Sequence, residues 1–255
     1  MSSLSHQARL AALLLLAGCG RVGFEVREDG WSAMGSDSRD SQIDDSGSVP
    51  LTIMHVGGFA ATSRASGATD SFGVQAAQAG DVIAMQITCR STTAPTSVTV
   101  TATGWQFNIL AGPAGAPPLH TRQVLAIAPD ANAASVVVTW SGTTCESGGA
   151  TLADEFRGVD ISAGLTGVGV VGAEQSGVGS PSFNVVTQAP AATLWAACFT
   201  GGTCTGAPAG WTPGAASGAF VSAFRITTDP AGTQEQVFFA NAGVYVVDVI
   251  ELKSP

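Results

Sequence analysis

Four carboxylates crowd one stretch of the chain: Asp154, Glu155, Asp160 and Glu174. Paired carboxyl groups carry out glycoside hydrolysis when they flank one bond at about 5 Å or 6.5–9.5 Å from each other. Adjacent residues on a strand point to opposite faces, so Asp154 and Glu155 are not expected to pair. Asp160 reads as the Asx-type turn that ends a strand, with Arg157, beside Glu155 and Asp160, as a structural ion pair or strand-end cap. The candidate general bases are His55, in a strand, and His120, in a loop after Pro117-Pro118. A Ser-His-Asp triad needs that base within reach of both partners, and no G-x-S-x-G elbow accompanies it. Two histidines without carboxylates at ligand spacing do not make a zinc set. Gly167-Val-Gly-Val-Val-Gly172 has the letters of a dinucleotide loop, yet no helix-forming stretch follows it; it reads as a glycine-rich loop. No cofactor and no metal are expected.

Aromatic faces offer a different chemistry, stacking on sugar rings. Trp105 and Trp211 each follow a glycine at matching loop positions; they read first as plugs closing the open ends of the sandwich and second as the candidate ligand contacts. Trp140 and Trp195 sit in apolar strands and read as core. Beyond Cys19, the thiols are Cys89, Cys145, Cys198 and Cys204. An even count in an exported chain favours disulfides, with three connectivities open. The reversal available at Gly201-Gly202 favours Cys198–Cys204 together with Cys89–Cys145.

Export is read from the first residues. Arg9 precedes the apolar run Leu10–Ala17, and the small pair Ala17-Gly18 precedes Cys19. The run is well short of the roughly 20 residues a spanning helix needs. Leu16-Ala17-Gly18-Cys19 resembles the lipobox of bacterial lipoproteins. That resemblance implies a signal peptide over residues 1–18 and a membrane anchor of lipids on Cys19; Gly20, where an Asp would retain the protein on the inner membrane, implies the outer membrane. Residues 19–50 then form an acidic tether, in which Glu25, Glu28, Asp29, Asp37, Asp40, Asp44 and Asp45 stand among serines and glycines. Such a stretch buries too little apolar surface to offset its ordering entropy. Its Asp-Ser run lacks the alternating spacing of a calcium loop.

From residue 51 to 255 the composition is that of short strands and turns: charge is scarce, and Gly, Ala, Thr, Ser and Val dominate. From Val49 onward twelve Asp and Glu face six Lys and Arg, which excludes nucleic acid as a partner. Eleven candidate strands with no sustained helical pattern predict an all-β, antiparallel, jelly-roll-like sandwich. The order of elements repeats: a strand ending in Cys89 or Cys198, then Gly-Trp at 104–105 or 210–211, two strands, and a last strand carrying Asp154 or Asp248. Two interlocked halves of one sandwich are expected, with Cys89 matching Cys198 and Asp154 matching Asp248.

Gly80-Asp81-Val-Ile, Gly104-Trp105, Glu155-Phe-Arg-Gly-Val-Asp160, Ala207-Pro-Ala-Gly-Trp211 and Ile250-Glu-Leu-Lys-Ser-Pro255 resemble a jelly-roll family of bacterial secreted and phage-associated proteins. Its signature is "GDLL … PxGW … AYRGVD", followed by a second "PxGW" and a closing strand. Phe156 replaces the usual Tyr, and the first Pro is missing before Gly104-Trp105. The resemblance spans residues 51–255 and implies a β-sandwich without an assigned catalytic residue. The expectation for function is a lipid-anchored envelope protein with a non-enzymatic binding or structural module, its ligand a glycan or another protein. A polysaccharide-acting hydrolase or lyase is the alternative.

Overall fold

The computed structural model describes residues 52–62, 66–110, 118–146, 150–218, 220–241 and 243–255; the expected signal peptide, Cys19 and the tether lie outside them. The described chain is all-β and antiparallel, as expected, with fifteen strands and no helix. The first half holds β1 (Met54–Thr62), β2 (Thr69–Val74), β3 (Val82–Arg90), β4 (Ser97–Thr101), β5 (Gln106–Ile109), β6 (Leu119–Ile127), β7 (Ala134–Ser141) and β8 (Ala150–Arg157). The second holds β9 (Gly169–Val178), β10 (Ser182–Val186), β11 (Thr193–Thr200), β12 (Thr212–Ser217), β13 (Phe220–Ile226), β14 (Gln234–Phe238) and β15 (Val244–Leu252).

Each half is a sandwich of its own, which replaces the expected two interlocked halves of one sandwich. The first packs the five-stranded sheet β1-β8-β3-β6-β5 on β2-β7-β4; the second packs β12-β13-β11-β15-β9 on β10-β14. Ile83, Met85, Val124, Val136, Val138 and Trp140 fill the first core, and Leu194, Ala196, Val237, Phe239, Val247 and Val249 fill the second. A third core lies where the two five-stranded sheets stack on one another: Val82, Ala84, Leu125, Leu152 and Phe156 meet Trp195, Ala197, Phe224, Ile250 and Leu252. Central strands β3 and β11 are therefore covered on both faces, every residue from Val82 to Cys89 and from Thr193 to Thr200 being buried. Double coverage explains why they read as near-continuous apolar runs and not as alternating ones.

The internal repeat is visible in the strand order. Read from β9, the second inner sheet runs β9-β15-β11-β13-β12, the order of β1-β8-β3-β6-β5. The register fixes the correspondence. Val82 lies opposite Ile127 and Phe156, as Thr193 lies opposite Ile226 and Leu252. This corrects two expected matches: Cys198 corresponds to Ile87, two residues from Cys89, and Asp154 corresponds to Ile250, not to Asp248. Glu155 and Glu251 are the acidic residues that share a position.

Both disulfides have the favoured pairing, Cys89–Cys145 with Cα atoms 5.2 Å apart and Cys198–Cys204 at 6.3 Å. They point to an oxidising, extracytoplasmic location. The short loop closed by Cys198–Cys204 stands where the second half lacks a counterpart of β4, and a single bridge, Thr205 to Ala240, remains there. Replacing Cys198 and Cys204 together by Ser is expected to cost about 2 kcal/mol, the chain-entropy value for so short a loop. Urea unfolding reads this as a lower midpoint at an unchanged slope.

The Gly167–Gly172 segment is corrected as well: it does not stay a loop, because β9 begins at Gly169 and pairs along β15. A Cβ on Gly169 would stand 2.8 Å from the Glu251 carbonyl oxygen, so close backbone approach is what calls for glycine there.

Candidate functional site: carboxylates at the seam between the halves

The four carboxylates singled out in the sequence do not converge. Asp154, on β8, points into the seam between the inner sheets and is fully buried. Its Oδ2 accepts from Trp195 Nε1 (2.6 Å) and Ser222 Oγ (2.5 Å), and its Oδ1 accepts from the Ala215 amide (3.1 Å) and contacts His55 Nε2 (2.8 Å). The His55 ring stacks on Phe224 at 4.2 Å. Ser, His and Asp are thus neighbours, but with the carboxylate between the other two. A nucleophilic triad needs the imidazole in the middle to take the serine proton; here the serine donates to the carboxylate, which locks it. Gly58 and Gly214 make room for this hub, since a Cβ on either would stand 2.5–2.8 Å from an Asp154 oxygen.

Glu155 points the opposite way, as strand alternation requires. Its Oε1 accepts from the Ala77 amide at 2.7 Å. Glu251 repeats this tie in the second half, accepting from the Gln188 and Ala189 amides at 2.7–2.9 Å. In each half one buried carboxylate pins the loop that enters the central strand. Beside Glu155, Arg157 clasps Asp81 through Nε (3.0 Å) and Nη2 (2.8 Å); its partner is Asp81, not Glu155 or Asp160 as expected. Burial raises Asp81, but hydrogen bonds from Arg157 and Glu155 outweigh it and hold Asp81 below the ordinary range. Burial first, and then hydrogen bonding to Asp81, push Glu155 up to about 7 against the opposing Ala77 amide. Gly80-Asp81 and Glu155-Phe-Arg157, two motifs of the family resemblance, are therefore one clasp. Asp160 forms the expected turn, accepting from the Ser162 amide at 2.9 Å.

Sequence reasoning missed a polar belt in the seam. Gln86 and Gln123 are direct cross-strand partners on β3 and β6. Facing them across the seam, Asp248 and Glu174 are direct partners on β15 and β9. Gln86 Nε2 donates to Asp248 Oδ2 at 2.7 Å and to the Ala197 carbonyl at 3.2 Å, and Gln123 Nε2 reaches the Val249 carbonyl at 3.4 Å. Burial raises Asp248 to about 6 against the pull of Gln86, Thr121 and Arg122. Burial and then the charge of Asp248 raise Glu174 to about 7 against Arg122. Nothing in the sequence marks this belt except Gln86 in the apolar first part of β3; Gln123 follows the polar His120, Thr121 and Arg122 on β6.

Of the two readings of Trp105 and Trp211, the structure has the inward plug and not the ligand contact. Trp105 and Trp211 are only 8% and 6% exposed and belong to the cores of their own halves. Gly104 and Gly210 both have φ of +80°, and each Trp amide closes the turn on the carbonyl three residues back, Ala102 or Pro208. Glycine supplies the left-handed turn that drives the indole inward, so neither ring is open for a sugar. Trp140 and Trp195 are core, as expected. His120 is not in a loop: it lies on β6 opposite Cys89, buried, with Nε2 2.9 Å from the Ser91 carbonyl oxygen.

A concavity of about 300 Å³ opens between Ile53 and Asp160 of the first half and Pro190, Ile226, Thr227 and Lys253 of the second. Ala191 in its wall holds φ of +51°, a conformation that costs a non-glycine residue free energy, and its carbonyl accepts from Ser254 Oγ. Lys253 is the sole lysine of the chain. Among the described residues no group of three or more His, Cys, Asp or Glu gathers as metal ligands. Comparison with protein-family models, with curated proteins and with solved structures finds no match to the chain.

Proposed function

We propose that this protein is a lipid-anchored envelope protein of the bacterial outer membrane whose double sandwich is a non-enzymatic binding or structural module. The fate of the carboxylates carries the reading: Asp154, Glu155 and Asp160 are each spent on hydrogen bonds that hold the fold, with no reacting position left between any two of them. The disulfides agree with export, and the Leu16–Cys19 motif supplies the anchor. With the tryptophans inside, the ligand surface is assigned to the concavity at the seam. Its apolar walls and the polar groups of Asp160, Thr227 and Lys253 match the mixed lining of small-ligand sites at domain boundaries.

Two experiments test this. Cys19→Ala is expected to move the protein from the membrane pellet to the soluble fraction and to abolish incorporation of labelled palmitate; retention in the pellet would overturn the anchor. On a glycan array the protein is expected to bind without releasing product, and Lys253→Ala to lower that binding by at least several-fold. Release of oligosaccharides from a polymer would establish the hydrolase or lyase reading instead.

A further inference from the structure

We propose, resting on the reading of the seam concavity as the ligand surface, that it recognises a carboxylate-bearing saccharide whose carboxylate is held by Lys253. The first half supplies the template. There Arg157 clasps Asp81 through hydrogen bonds of 3.0 and 2.8 Å, next to Gly80, whose φ is +86°. The ladders set Val82 and Phe156 in the places that Thr193 and Leu252 hold in the second half. One residue along, Arg157 corresponds to Lys253, Asp81 to Ala192 and Gly80 to Ala191. Ala191 keeps the left-handed backbone of Gly80, at φ of +51°, although it is not a glycine. The Ala128 amide donates to the Asp81 carbonyl at 2.9 Å, and the Thr227 amide donates to the Ala192 carbonyl at 3.0 Å, as the correspondence requires.

The second half therefore keeps the cation and lacks its carboxylate. Ala192 is fully buried and offers only a methyl group where Asp81 offers two oxygens. Among the described residues no carboxylate forms an ion pair with Lys253, whereas Arg90, Arg157 and Arg225 pair with Glu146, Asp81 and Glu235. Arg122 acts on Asp248 and Glu174. Asp160 donates its amide to the Lys253 carbonyl at 2.9 Å, but its carboxylate accepts from the Ser162 amide, also at 2.9 Å. At the place of the missing clasp the concavity of about 300 Å³ opens. Its wall is fixed in advance. Glu251 accepts from the Gln188 and Ala189 amides, the Ala191 amide donates to the Asp229 carbonyl at 3.1 Å, and Ser254 Oγ donates to the Ala191 carbonyl. A preformed wall spares the ordering cost that binding otherwise carries.

A ligand carboxylate on Lys253 does what Asp81 does for Arg157, making a charge-assisted hydrogen bond that is stronger than a neutral one. The rest of the lining narrows the ligand further. Asp160, on the same wall, accepts hydrogen bonds and repels a second negative group, so the neighbouring groups of the ligand are donors such as hydroxyls. Ile53, Pro190 and Ile226 offer apolar surface to the C–H face of a ring. A sugar acid has all three features: one carboxylate, several hydroxyls and an apolar ring face. The concavity stands at the small end of the range for ligand sites, which suits a terminal sugar acid better than the middle of a long polymer.

The test is a glycan array that carries galacturonate oligosaccharides, their methyl esters and the matching galactose oligosaccharides. The ester keeps the shape of the acid and removes its charge. The acid is expected to bind more tightly than ester or neutral sugar by roughly tenfold or more, the worth of a hydrogen bond to a charged group. Lys253→Met, which keeps the apolar stem, is expected to erase that preference. Ala192→Asp, which rebuilds the first half's clasp inside the second, is expected to erase it too. Circular dichroism shows whether each variant is folded, and Lys253→Met, at a partly exposed position, decides alone where Ala192→Asp does not fold. Equal binding of acid, ester and neutral sugar would overturn the proposal and leave the saccharide reading standing. Binding to no saccharide on the array would overturn both. A preference for the acid that Lys253→Met leaves intact would place the carboxylate elsewhere and overturn the proposal as well.

Discussion

Asp154→Ala is expected to be the most damaging single substitution in the seam, with a loss of about 3–5 kcal/mol. The reason is what it leaves behind. Trp195 Nε1, Ser222 Oγ and the Ala215 amide all donate to this one carboxylate, and His55 rests on it. Each buried donor left unpaired costs about 1–3 kcal/mol, and the hub sits where β8 of one half meets β11, β12 and β13 of the other. Since a domain of this kind has only about 5–15 kcal/mol in hand, much of the stability should go at once. His55→Ala, which removes a partly exposed partner, should cost far less. Urea unfolding followed by tryptophan fluorescence measures both, because Trp195 reports directly on the hub. A loss below about 1 kcal/mol for Asp154→Ala, the size of an ordinary hydrogen bond, would show that the hub is not a structural lock. A double-mutant cycle with Ser222→Ala then apportions the coupling.

The strands were legible where apolar or β-branched runs dominate, and eleven candidates correspond to eleven observed strands. The four that escaped, β2, β5, β9 and β12, are short or broken by Gly, Pro and Asn, as in Gly169–Val178 and Thr212–Ser217. Their strand character comes from pairing with a neighbour, and β-propensity is a statement about such neighbours more than about the residue itself. The repeat was legible too, but not its register: the matching cysteines and aspartates are two residues out of step, and only the ladders reveal that Glu155 pairs in role with Glu251.

The same limit hid the site. Burial of Trp105 and Trp211 depends on a turn whose glycine has positive φ, and the direction of the indole is a tertiary fact. Stacking of two sandwiches also could not be read from one strand at a time. The signal was nonetheless present in β3 and β11, which are apolar along nearly their whole length and so must be covered twice. Gln86 inside such a strand marked the place where a polar contact crosses the seam.

Stability is expected to increase as pH falls from 8 to about 5, the reverse of ordinary acid denaturation. With Glu174 and Asp248, Glu155 is one of three causes. Its folded pKa of about 7 lies above the value of 4.5 that it has when unfolded, so the folded state binds the proton more tightly. A raised carboxyl contributes no penalty while protonated and an increasing one as pH climbs through the interval between those two values. A tenfold difference in proton affinity is worth about 1.4 kcal/mol, so the share of Glu155 in the cost on going from pH 5 to pH 8 is on the order of 2–3 kcal/mol, or roughly 5–10 °C in Tm for a domain of this size. Glu174 and Asp248 act in the same direction. Asp81 acts in the other: its lowered pKa adds stability above about pH 4 that is lost below it, as the clasp with Arg157 loses its charge. The two trends cross, and the optimum should fall near pH 4.5–5.5. Glu155→Gln keeps the acceptor for the Ala77 amide and removes its titration, so the change in Tm between pH 5 and 8 is expected to shrink by the share of Glu155 while the shares of Glu174 and Asp248 remain. A pH dependence identical in Glu155→Gln and the unmodified chain would rule out Glu155 as a buried, proton-retaining group.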